Sequence, residues 1–547
     1  MEDRLRLDLK FMNLKKFIAT SLVAALIGSS VAVAAETKAT KPNIIVILVD
    51  DMGFSDIGCY GSDIPTPNLD ALAADGLKYK QFYNTARCCP SRAALLTGLY
   101  SHEAGVGNMM ENEHQLGYQG HLNNSCVTIP EVLKPAGYFT AMSGKWHVGQ
   151  EQGVTPWGRG FDRNLNSPDG GFYYANGAKV KTQLFLNGEH IANDDPRLPA
   201  HWYSTDLWTT FGLKFIDEAL DAKKPFYLHL CYNAPHFPLQ APADEIAKFR
   251  GKYKAGWDKL RVARHEKQIQ LGVMDSAWPI SPRPDAIKAW DALTPEQQDR
   301  FDHIMAVYAA CVAHMDKAIG DLVKGLKQRG VLDNTAIFFM SDNGGNAETG
   351  PNGRDGGNPS DGKSAWFCGE SWANLENTPL RRYKHFTMEG GISTPLLVHW
   401  PAGIAAKGEW RNQVGHLIDI MPTCVELGGA TYPKEFKGNA ILPMEGKSLV
   451  GTFTNQPLVR DAVYWEHIGN AAVRLDDMKL VRTGRTSPWE LYDLAKDRTE
   501  LDNLAAAQPA KVKELAAKWE AWAVRTHVVP YPVKGKGKKT TEAEDAQ

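Results

Sequence analysis

The fold is predicted from the stretch NIIVILV at Asn43–Val49, which is continuously apolar after Asn43 and is followed directly by Asp50 and Asp51. A strand that is buried on both faces has an unbroken hydrophobic run instead of an alternating one. Similar runs follow at Tyr138–Ser143, Phe226–Tyr232, Ala336–Ser341 and Leu396–Trp400. Helical patterns lie between them at Leu69–Gly76, Thr205–Leu220 and Asp302–Gly330. This alternation favours parallel strands joined by crossover helices, and we predict an α/β fold.

The pattern changes beyond about residue 450. Short strand-like pieces occur at Ala462–Glu466, Ala471–Leu475, Lys479–Arg482 and Glu490–Leu494, and a helical pattern follows at Ala510–Trp522. We predict a large domain at 36–450 and a smaller C-terminal α+β subdomain at 451–532, made of antiparallel strands and one helix. Residues 533–547 have no apolar pattern and are predicted to be disordered.

The N-terminal segment has the pattern of a secretory signal peptide. Two lysines precede the apolar run Phe17–Val33, which ends in small residues at Ala32–Ala35. We assign the signal peptide to 1–35, with Met12 as an alternative start, and predict export to the periplasm or the extracellular space. A membrane anchor is the alternative, but the run is shorter than the roughly 20 residues that span a bilayer. We therefore expect no stable membrane insertion.

Net charge and cysteine spacing exclude several classes of function. The chain has 61 Lys and Arg against 63 Asp and Glu, a formal net charge of -2. This charge creates no overall positive electrostatic potential that would attract nucleic acid, so we expect no nucleic-acid partner and only local anion binding. Eight cysteines are present without a Cys-x-x-Cys pair, which argues against a zinc or redox centre of that type. Spacing leaves their disulfide pairing open.

A cysteine begins the predicted helix CCPSRAALLTG, residues 88–98. Pro90 lies near the helix start and Gly98 stops the helix. The free N–H groups and the dipole at a helix N-terminus favour an anion and lower the pKa of a thiol, so Cys88 is a candidate nucleophile. A small buried residue is the alternative interpretation of Cys88.

Polar residues follow the predicted strands where each strand ends. In open α/β sheets, ligands bind beyond the carboxyl ends of the strands, so one crevice is expected to collect these residues. Adjacent aspartates are common in caps and turns, but a second oxygen-bearing pair after another strand favours a hard cation. If residues 145–147 stay extended, the lysine and the histidine point to the same side. In chain order, the polar residues that follow these strands are Asp50 and Asp51, Lys145 and His147, His236, and Asp342 and Asn343.

The string at residues 88–98 resembles the signature of type I, formylglycine-dependent sulfatases, which is Cys-x-Pro-Ser-Arg followed by Leu-Thr-Gly. The resemblance extends from about Pro42 to about Leu504, and the chain looks closest to bacterial arylsulfatases similar to the Pseudomonas enzyme. It implies an alkaline-phosphatase-like fold, in which helices sandwich a large mixed sheet. It also implies that a separate formylglycine-generating enzyme oxidises Cys88 to formylglycine (3-oxoalanine), with Ser91 contributing to recognition by that enzyme.

The resemblance further implies roles for the other candidates. Asp50, Asp51, Asp342 and Asn343 would bind Ca²⁺, and oxygens of residue 88 and of sulfate would complete the shell. Arg92 would hold the hydrated aldehyde, while Lys145 and Lys384 would bind sulfate. His147 would hydrogen-bond the formylglycine hydroxyl, and His236 would lie at the bridging ester oxygen.

These residues predict hydrolysis of sulfate monoesters to an alcohol and inorganic sulfate through a covalent sulfate ester on residue 88. The substrate is an aryl sulfate or a sulfated carbohydrate. Two alternatives stay open: a phosphonate or phosphodiester hydrolase of the same superfamily, and a non-enzymatic sulfated-glycan binding protein in which Cys88 stays a thiol. We expect the segments Gly350–Asn374 and Phe249–Pro295 to select the alcohol. Further candidates for the pocket are His102, Asn108, His114 and Trp366.

Overall fold

An eleven-stranded mixed sheet carries the fold in the computed structural model, which describes residues 41–150, 153–177 and 183–532. The predicted signal peptide and the predicted tail lie outside the described residues. The strands of this sheet are β1 Asn43–Val49, β2 Leu77–Tyr83, β3 Phe139–Lys145, β4 Arg163–Ser167, β5 Leu184–Leu186, β6 Glu189–Ile191, β7 Phe226–Cys231, β8 Thr335–Ser341, β9 Ser393–His399, β10 Glu409–Arg411 and β11 Gly415–His416. Two smaller sheets contain β12 Glu435–Phe436 with β13 Asn439–Ala440, and β14 Val463–His467, β15 Asn470–Leu475, β16 Met478–Arg482 and β17 Glu490–Asp493.

Helices connect the strands. They are α1 Pro67–Ala74, α2 Cys88–Thr97, α3 Ile129–Leu133, α4 Ser204–Asp221, α5 Ala243–Phe249, α6 Gly256–Gln270, α7 Pro295–Gln328, α8 Gly369–Glu376, α9 Glu389–Ile392, α10 Ile420–Gly428, α11 Val450–Phe453 and α12 Pro509–Arg525. None of the helices in the described ranges is long and apolar enough to cross a bilayer. All eight cysteines lie in those ranges, and each is a free thiol.

The first predicted strand lies at the centre of the large sheet. The strand order is β10-β2-β9-β8-β1-β7-β3-β4-β5-β6, with β11 paired to β2. β1 is parallel to β7 and to β8, and β7 is parallel to β3. The carboxyl ends of β8, β1, β7 and β3 therefore lie side by side at one edge of the sheet.

One predicted strand runs in the opposite direction to the prediction. The run Leu396–Trp400 was expected to be parallel, but β9 is antiparallel to β8 and to β2, with Val398 opposite Phe338 and Leu397 opposite Lys78. A strand buried on both faces is continuously apolar in either direction, so its hydrophobicity carries no information about direction.

Helices cover both faces of the large sheet. On one face Ile45 and Ile47 pack with residues of α1, α4 and α7. On the other face Ile44 and Val46 pack with residues of α2, α3 and α10. Successive side chains of a strand point to opposite faces, so this burial on both sides accounts for the unbroken apolar run of β1.

The C-terminal strands form the predicted antiparallel sheet, in the order β14-β15-β16-β17. Val473 and Leu480 of this sheet pack with Trp519 of α12. Trp465 and Val481 pack with Tyr83 of β2. The small sheet thus contacts the large sheet near the start of α2, within the single compact unit that begins at Pro42. The domain boundary at residue 450 stays a prediction.

Candidate active site

The polar residues that follow β1 and β8 form a cluster of carboxylate and amide groups. Asp50, Asp51, Asp342 and Asn343 are all buried. The Nδ2 of Asn343 donates to Oδ1 of Asp51 at 2.7 Å, and the backbone N–H of Asp51 donates to Oδ1 of Asp342 at 3.2 Å. The chain turns at Asp51, whose φ of 63° lies in the left-handed region. The two strand ends therefore present their oxygens to the same small volume.

This cluster has the donor set that a hard cation requires. Within the described part of the chain, Oδ1 of Asp50 and Oδ1 of Asn343 are buried without a hydrogen-bond partner. Unpartnered buried oxygens are costly unless another ligand satisfies them. Carboxylate and amide oxygens from two strands fit Ca²⁺. The four residues predicted to hold the metal therefore fit it.

Two buried cations face the carboxylates. Lys145 Nζ lies 2.7 Å from Oδ2 of Asp50, and Arg92 Nη2 lies 2.8 Å from Oδ2 of Asp342. Burial by itself raises the pKa of Asp50, but the charges of Lys145, His236 and Arg92 outweigh it and hold that pKa below its usual value. Burial and the nearby Asp50 carboxylate raise the pKa of Asp342 well above its usual range, despite Arg92.

Cys88 is the first residue of α2. Arg87, at the N-cap, is extended, and the helix ends at Gly98, whose φ of 71° is left-handed. Cys88 is 2% exposed, and its sulfur lies within 4.8 Å of ligand atoms of Cys89 and His147. A hydrogen bond from Cys89 and the positive charges of His147 and Lys145 lower the pKa of Cys88. Burial acts in the opposite direction, but the pKa of Cys88 stays well below its usual value. Arg92 follows four residues later, on the same face of the helix as Cys88.

Ser91 has a structural contact that sequence reasoning missed. Its Oγ donates to the backbone oxygen of Asp342 at 2.5 Å and accepts from the backbone N–H of Thr85 at 3.0 Å. The first turn of α2 is thereby joined to the end of β8. The sequence did contain a signal, because a serine in the first turn of a helix commonly bonds to nearby backbone.

Residues 145–147 do not stay extended, so the condition for Lys145 and His147 to point to the same side is not met. β3 ends at Lys145, and His147 has a φ of 61°. The backbone N–H of His147 donates to the oxygen of Pro168 at 2.7 Å, which holds this turn. His147 still lies beside Cys88, and burial together with the charge of Lys145 lowers its pKa. Its Nδ1 is buried without a hydrogen-bond partner among the described residues.

His236 follows β7 and faces Asp51. Its Nδ1 lies 2.5 Å from the backbone oxygen of Phe237, and its Nε2 lies 3.4 Å from Oδ2 of Asp51. The ring stacks on Phe237 with centroids 4.1 Å apart. These contacts hold the ring so that Nε2 points toward the carboxylate cluster.

Lys384 brings a third cation to the same cluster. Its Nζ lies 2.8 Å from Oδ1 of Asp51 and 3.4 Å from Oε1 of Glu348. Burial lowers the pKa of Lys384, but these two carboxylates raise it above its usual value. Asn346, which sequence reasoning missed, donates from Nδ2 to Oδ2 of Asp51 at 2.5 Å. The sequence feature that could have identified Asn346 is its position in the loop after β8, three residues beyond Asn343.

The structure brings the predicted site residues together at one edge of the sheet. Among the further pocket candidates, Asn108 lines a neighbouring cavity. His102 instead bonds to Glu466 at 2.9 Å, and Nε1 of buried Trp366 donates to the oxygen of Gly357 at 3.0 Å. His114 is exposed and lies outside the lining of that cavity. The residues that meet at the site are Asp50, Asp51, Cys88, Arg92, Lys145, His147, His236, Asp342, Asn343 and Lys384.

Comparison with known protein families identifies the family to which the chain belongs. The family model described as Sulfatase matches residues 42–430, which is more than half of the chain. The chain belongs to the sulfatase family. A second model, described as N-sulphoglucosamine sulphohydrolase, C-terminal, matches residues 382–523 of this sulfatase.

The similarity covers nearly the full length of known relatives. This sulfatase is similar to an uncharacterized sulfatase of Schizosaccharomyces pombe, with 34% identity over 535 residues, covering 91% of this chain and 96% of the relative. It is similar to an arylsulfatase of Klebsiella aerogenes, with 35% identity over 457 residues, covering 80% and 96%. It also resembles the crystal structure of Ps i-CgsB in complex with k-i-k-neocarrahexaose, with a TM-score of 0.66, 26% identity and coverage of 88% and 93%.

These matches confirm two predictions. The sulfatase is a sulfuric ester hydrolase, and its fold is α/β with a large mixed sheet and a C-terminal antiparallel sheet.

Proposed function

We propose that this sulfatase hydrolyses monoesters of sulfate, either aryl sulfates or sulfated carbohydrates, through a covalent sulfate ester on residue 88. Cys88 is first oxidised to formylglycine by a formylglycine-generating enzyme. The observation that carries the proposal is the position of Cys88. It lies at a buried helix N-terminus among Lys145, His147, Arg92 and the carboxylate cluster.

Ca²⁺ fits the donor set of Asp50, Asp51, Asp342 and Asn343, and the unpartnered Oδ1 atoms of Asp50 and Asn343 support this assignment. When bound, the ion supplies positive charge that neutralises the sulfate oxygens and makes a hydroxyl of residue 88 more acidic. Cys88, Cys89 and His147 also lie close enough to hold a metal, and their sulfur and nitrogen ligands suit zinc. Oxidation of Cys88 removes that sulfur, so the state of residue 88 distinguishes the two sites.

The chain's own residues account for binding of the ester. Arg92, Lys145 and Lys384 are buried cations around one small volume, and a sulfate monoester needs charge neutralised on its non-bridging oxygens. Because these cations are already paired with carboxylates, they are oriented before the substrate arrives.

The hydrated aldehyde of residue 88 has two hydroxyl groups, and each takes part in one half of the reaction. One attacks sulfur, with Asp342 accepting its proton, and the S–O bond to the alcohol breaks as His236 protonates the departing oxygen, helped by Lys384. His147 then removes the proton of the second hydroxyl. The aldehyde re-forms, sulfate leaves, and one water rehydrates the aldehyde. An unmodified thiol lacks the second hydroxyl and cannot release sulfate by this route.

The proposal also includes where the enzyme works. The pattern at 1–35 supports export to the periplasm or the extracellular space. Modification of Cys88 makes the formylglycine-generating enzyme an obligatory partner during maturation. The domains at 36–450 and 451–532 remain part of this proposal.

Mass spectrometry of the tryptic peptide Cys88–Arg92 tests the modification in protein from the native host. We expect an aldehyde in place of the CH₂SH group, and an unmodified thiol would exclude the mechanism. As a matched control, Cys88→Ala should fold normally and have no activity, because alanine fills nearly the same small volume as cysteine at this buried position.

The competing hydrolase is tested by substrate choice. Turnover of a phenyl sulfate is compared with turnover of the matching phenyl phosphate and phenyl phosphonate on one sample of modified protein. We expect sulfate to be preferred, and a clear preference for phosphate or phosphonate would overturn the assignment.

A further inference from the structure

Two adjacent thiols and an imidazole meet at the start of α2. The sulfurs of Cys88 and Cys89 and a ring nitrogen of His147 all lie within 4.8 Å of one another. The three side chains are 2%, 0% and 6% exposed. The group of possible ligands that contains Asp50 and Asp51 is separate and shares no residue with this one. The thiols and the imidazole therefore form a second candidate metal site, which we call the thiol site, beside the carboxylate cluster.

The spacing of the three ligand atoms suits a small tetrahedral ion. In a tetrahedral zinc site sulfur lies about 2.3 Å and nitrogen about 2.0–2.1 Å from the ion, so the ligand atoms lie roughly 3.6–3.8 Å apart. Atoms within 4.8 Å of one another need to move closer by about 1 Å at most to reach this spacing. Rotation of the side chains supplies such a shift while the backbone of α2 stays in place.

A fourth soft donor, Met109, lies next to the two thiols. Its Sδ lies 3.7 Å from Sγ of Cys89, which is the separation expected for two sulfurs around one tetrahedral ion. Nε of Arg87 donates to the same Sδ at 3.2 Å, and this hydrogen bond holds the thioether beside Cys89. Met109 also lines a cavity of about 680 Å³ beside the active site. An ion therefore has a path from this cavity to the thiols.

His147 has a ring nitrogen without a partner. Its Nδ1 is buried and makes no hydrogen bond among the described residues. The backbone N–H of His147 donates to the oxygen of Pro168 at 2.7 Å, so the turn keeps the ring beside Cys88. A buried polar atom without a partner is costly unless a ligand satisfies it. This unpartnered imidazole supports a ligand at the thiol site independently of the two sulfurs.

The donors of the thiol site select a different class of ion from the carboxylate cluster. Thiolate, thioether and imidazole ligands favour soft cations such as Zn²⁺ and Cu⁺, whereas carboxylate and amide oxygens favour hard cations such as Ca²⁺. Formylglycine carries oxygen in place of the sulfur of Cys88, so the thiol site is complete only before that oxidation.

We propose that this sulfatase, while residue 88 is still a thiol, binds one soft cation through Cys88, Cys89 and His147, with Met109 next to the fourth position. Two metal–sulfur bonds and one metal–nitrogen bond form, and the protons still held by the thiols pass to solvent. The cation then occupies the place of the nucleophile. Oxidation to formylglycine removes one sulfur and with it the site. The inference does not rest on the proposed hydrolysis, because it concerns only the thiol form.

Titration of the full-length protein with Cd²⁺ tests the thiol site. The sample is protein in which mass spectrometry shows an unmodified thiol at Cys88, kept reduced by a phosphine. Charge transfer from sulfur to Cd²⁺ gives an ultraviolet band, and Cd²⁺ bound only by carboxylates does not, so the carboxylate cluster does not contribute to the signal. We expect the band to saturate at one equivalent of Cd²⁺ per chain.

Variants assign the band to the three ligands. Cys88→Ala, Cys89→Ala and His147→Asn should each weaken Cd²⁺ binding by more than about 100-fold, because loss of an outer-shell partner alone costs about 10–100-fold. Asparagine is chosen at residue 147 because it tolerates a left-handed backbone. Cys59→Ala removes the least buried of the eight cysteines and should leave binding unchanged. A Tm close to that of the unaltered protein shows that each variant is folded.

The absence of a charge-transfer band at one equivalent of Cd²⁺ would overturn the proposal, and so would a band that persists in Cys89→Ala. Loss of binding in Cys59→Ala would place the cation elsewhere and would overturn it as well. The proposed function fails separately: an unmodified thiol in protein from the native host would exclude the formylglycine mechanism and leave the Cd²⁺ titration unaffected.

Discussion

Replacement of His236 by alanine separates protonation of the leaving alcohol from binding of sulfate. The Nδ1 of His236 is held by the oxygen of Phe237 at 2.5 Å, so Nε2 is the nitrogen that faces the site. A positioned general acid contributes about 10²–10⁴-fold, which corresponds to about 3–5 kcal/mol of barrier. That contribution is needed only when the departing oxygen is strongly basic. His236→Ala should therefore lose most of it on an unactivated phenyl sulfate and little of it on a nitrophenyl sulfate.

The assay is kcat/KM over a series of para-substituted phenyl sulfates. A plot of log kcat/KM against the pKa of the leaving phenol should be steeper for His236→Ala than for the unaltered enzyme. Lys145→Ala is the matched comparison, because Lys145 lies 2.7 Å from Asp50 and is proposed to bind the non-bridging oxygens, which every ester shares. Its loss of about 10²–10³-fold should be uniform over the series. An equally uniform loss in His236→Ala would refute the role of His236 as an acid.

Three further predictions concern the metal and the stability of the fold. Removal of Ca²⁺ by a chelator should abolish hydrolysis and lower Tm, because the buried carboxylates then repel one another. Added Ca²⁺ should restore both activity and Tm. Full activity in protein that elemental analysis shows to be metal-free would contradict the proposed metal site. Lys479→Met should lower the free energy of unfolding, measured by urea denaturation, by about 3–5 kcal/mol, because Lys479 Nζ lies 2.9 Å from Glu389 and its loss removes a charge partner of that buried carboxylate. A second change, Glu389→Gln, removes the charge of the carboxylate and should recover part of the lost stability. Burial by itself lowers the pKa of His314, but hydrogen bonds to Asp206 and Glu245 raise it from 6.5 to about 9. The stabilisation by protonated His314 is therefore complete below about pH 6.5 and is lost as the pH rises through about 9, so the difference in Tm between the unaltered enzyme and His314→Gln should shrink over that range.

Much of the large sheet could be predicted because its central strands are buried on both faces. The strand at Asn43–Val49 has the predicted bounds, since its six apolar residues, Ile44–Val49, contribute in turn to the apolar layers on the two sides. β2, with the sequence LKYKQFY, was missed because lysine and glutamine side chains interrupt its apolar positions. The antiparallel direction of β9 was also missed. Direction depends on how the chain enters the strand, and hydrophobicity does not record that.

Most residues of the candidate site could be predicted from the sequence, but a few could not. The residues after β1, β3, β7 and β8 were expected to meet because the carboxyl ends of neighbouring parallel strands share one edge of a sheet. Asn346 and Glu348 were missed because the loop that carries them folds back over the site only in the tertiary structure. His467, which lines the neighbouring cavity together with Asn108, was missed for a similar reason, since it belongs to the C-terminal sheet, which packs against the large sheet from a distant part of the chain.

By itself, the sequence determined the properties that depend on near neighbours along the chain. These are the buried strand at Asn43–Val49, the helix that begins at Cys88, and the oxygen-bearing pairs that end β1 and β8. The tertiary structure alone decided strand order and direction and the turn at His147. The physical reason is distance along the chain: Asn343 donates to Asp51 across 292 residues. Contacts of this kind are set by packing of the whole sheet, which no local pattern encodes.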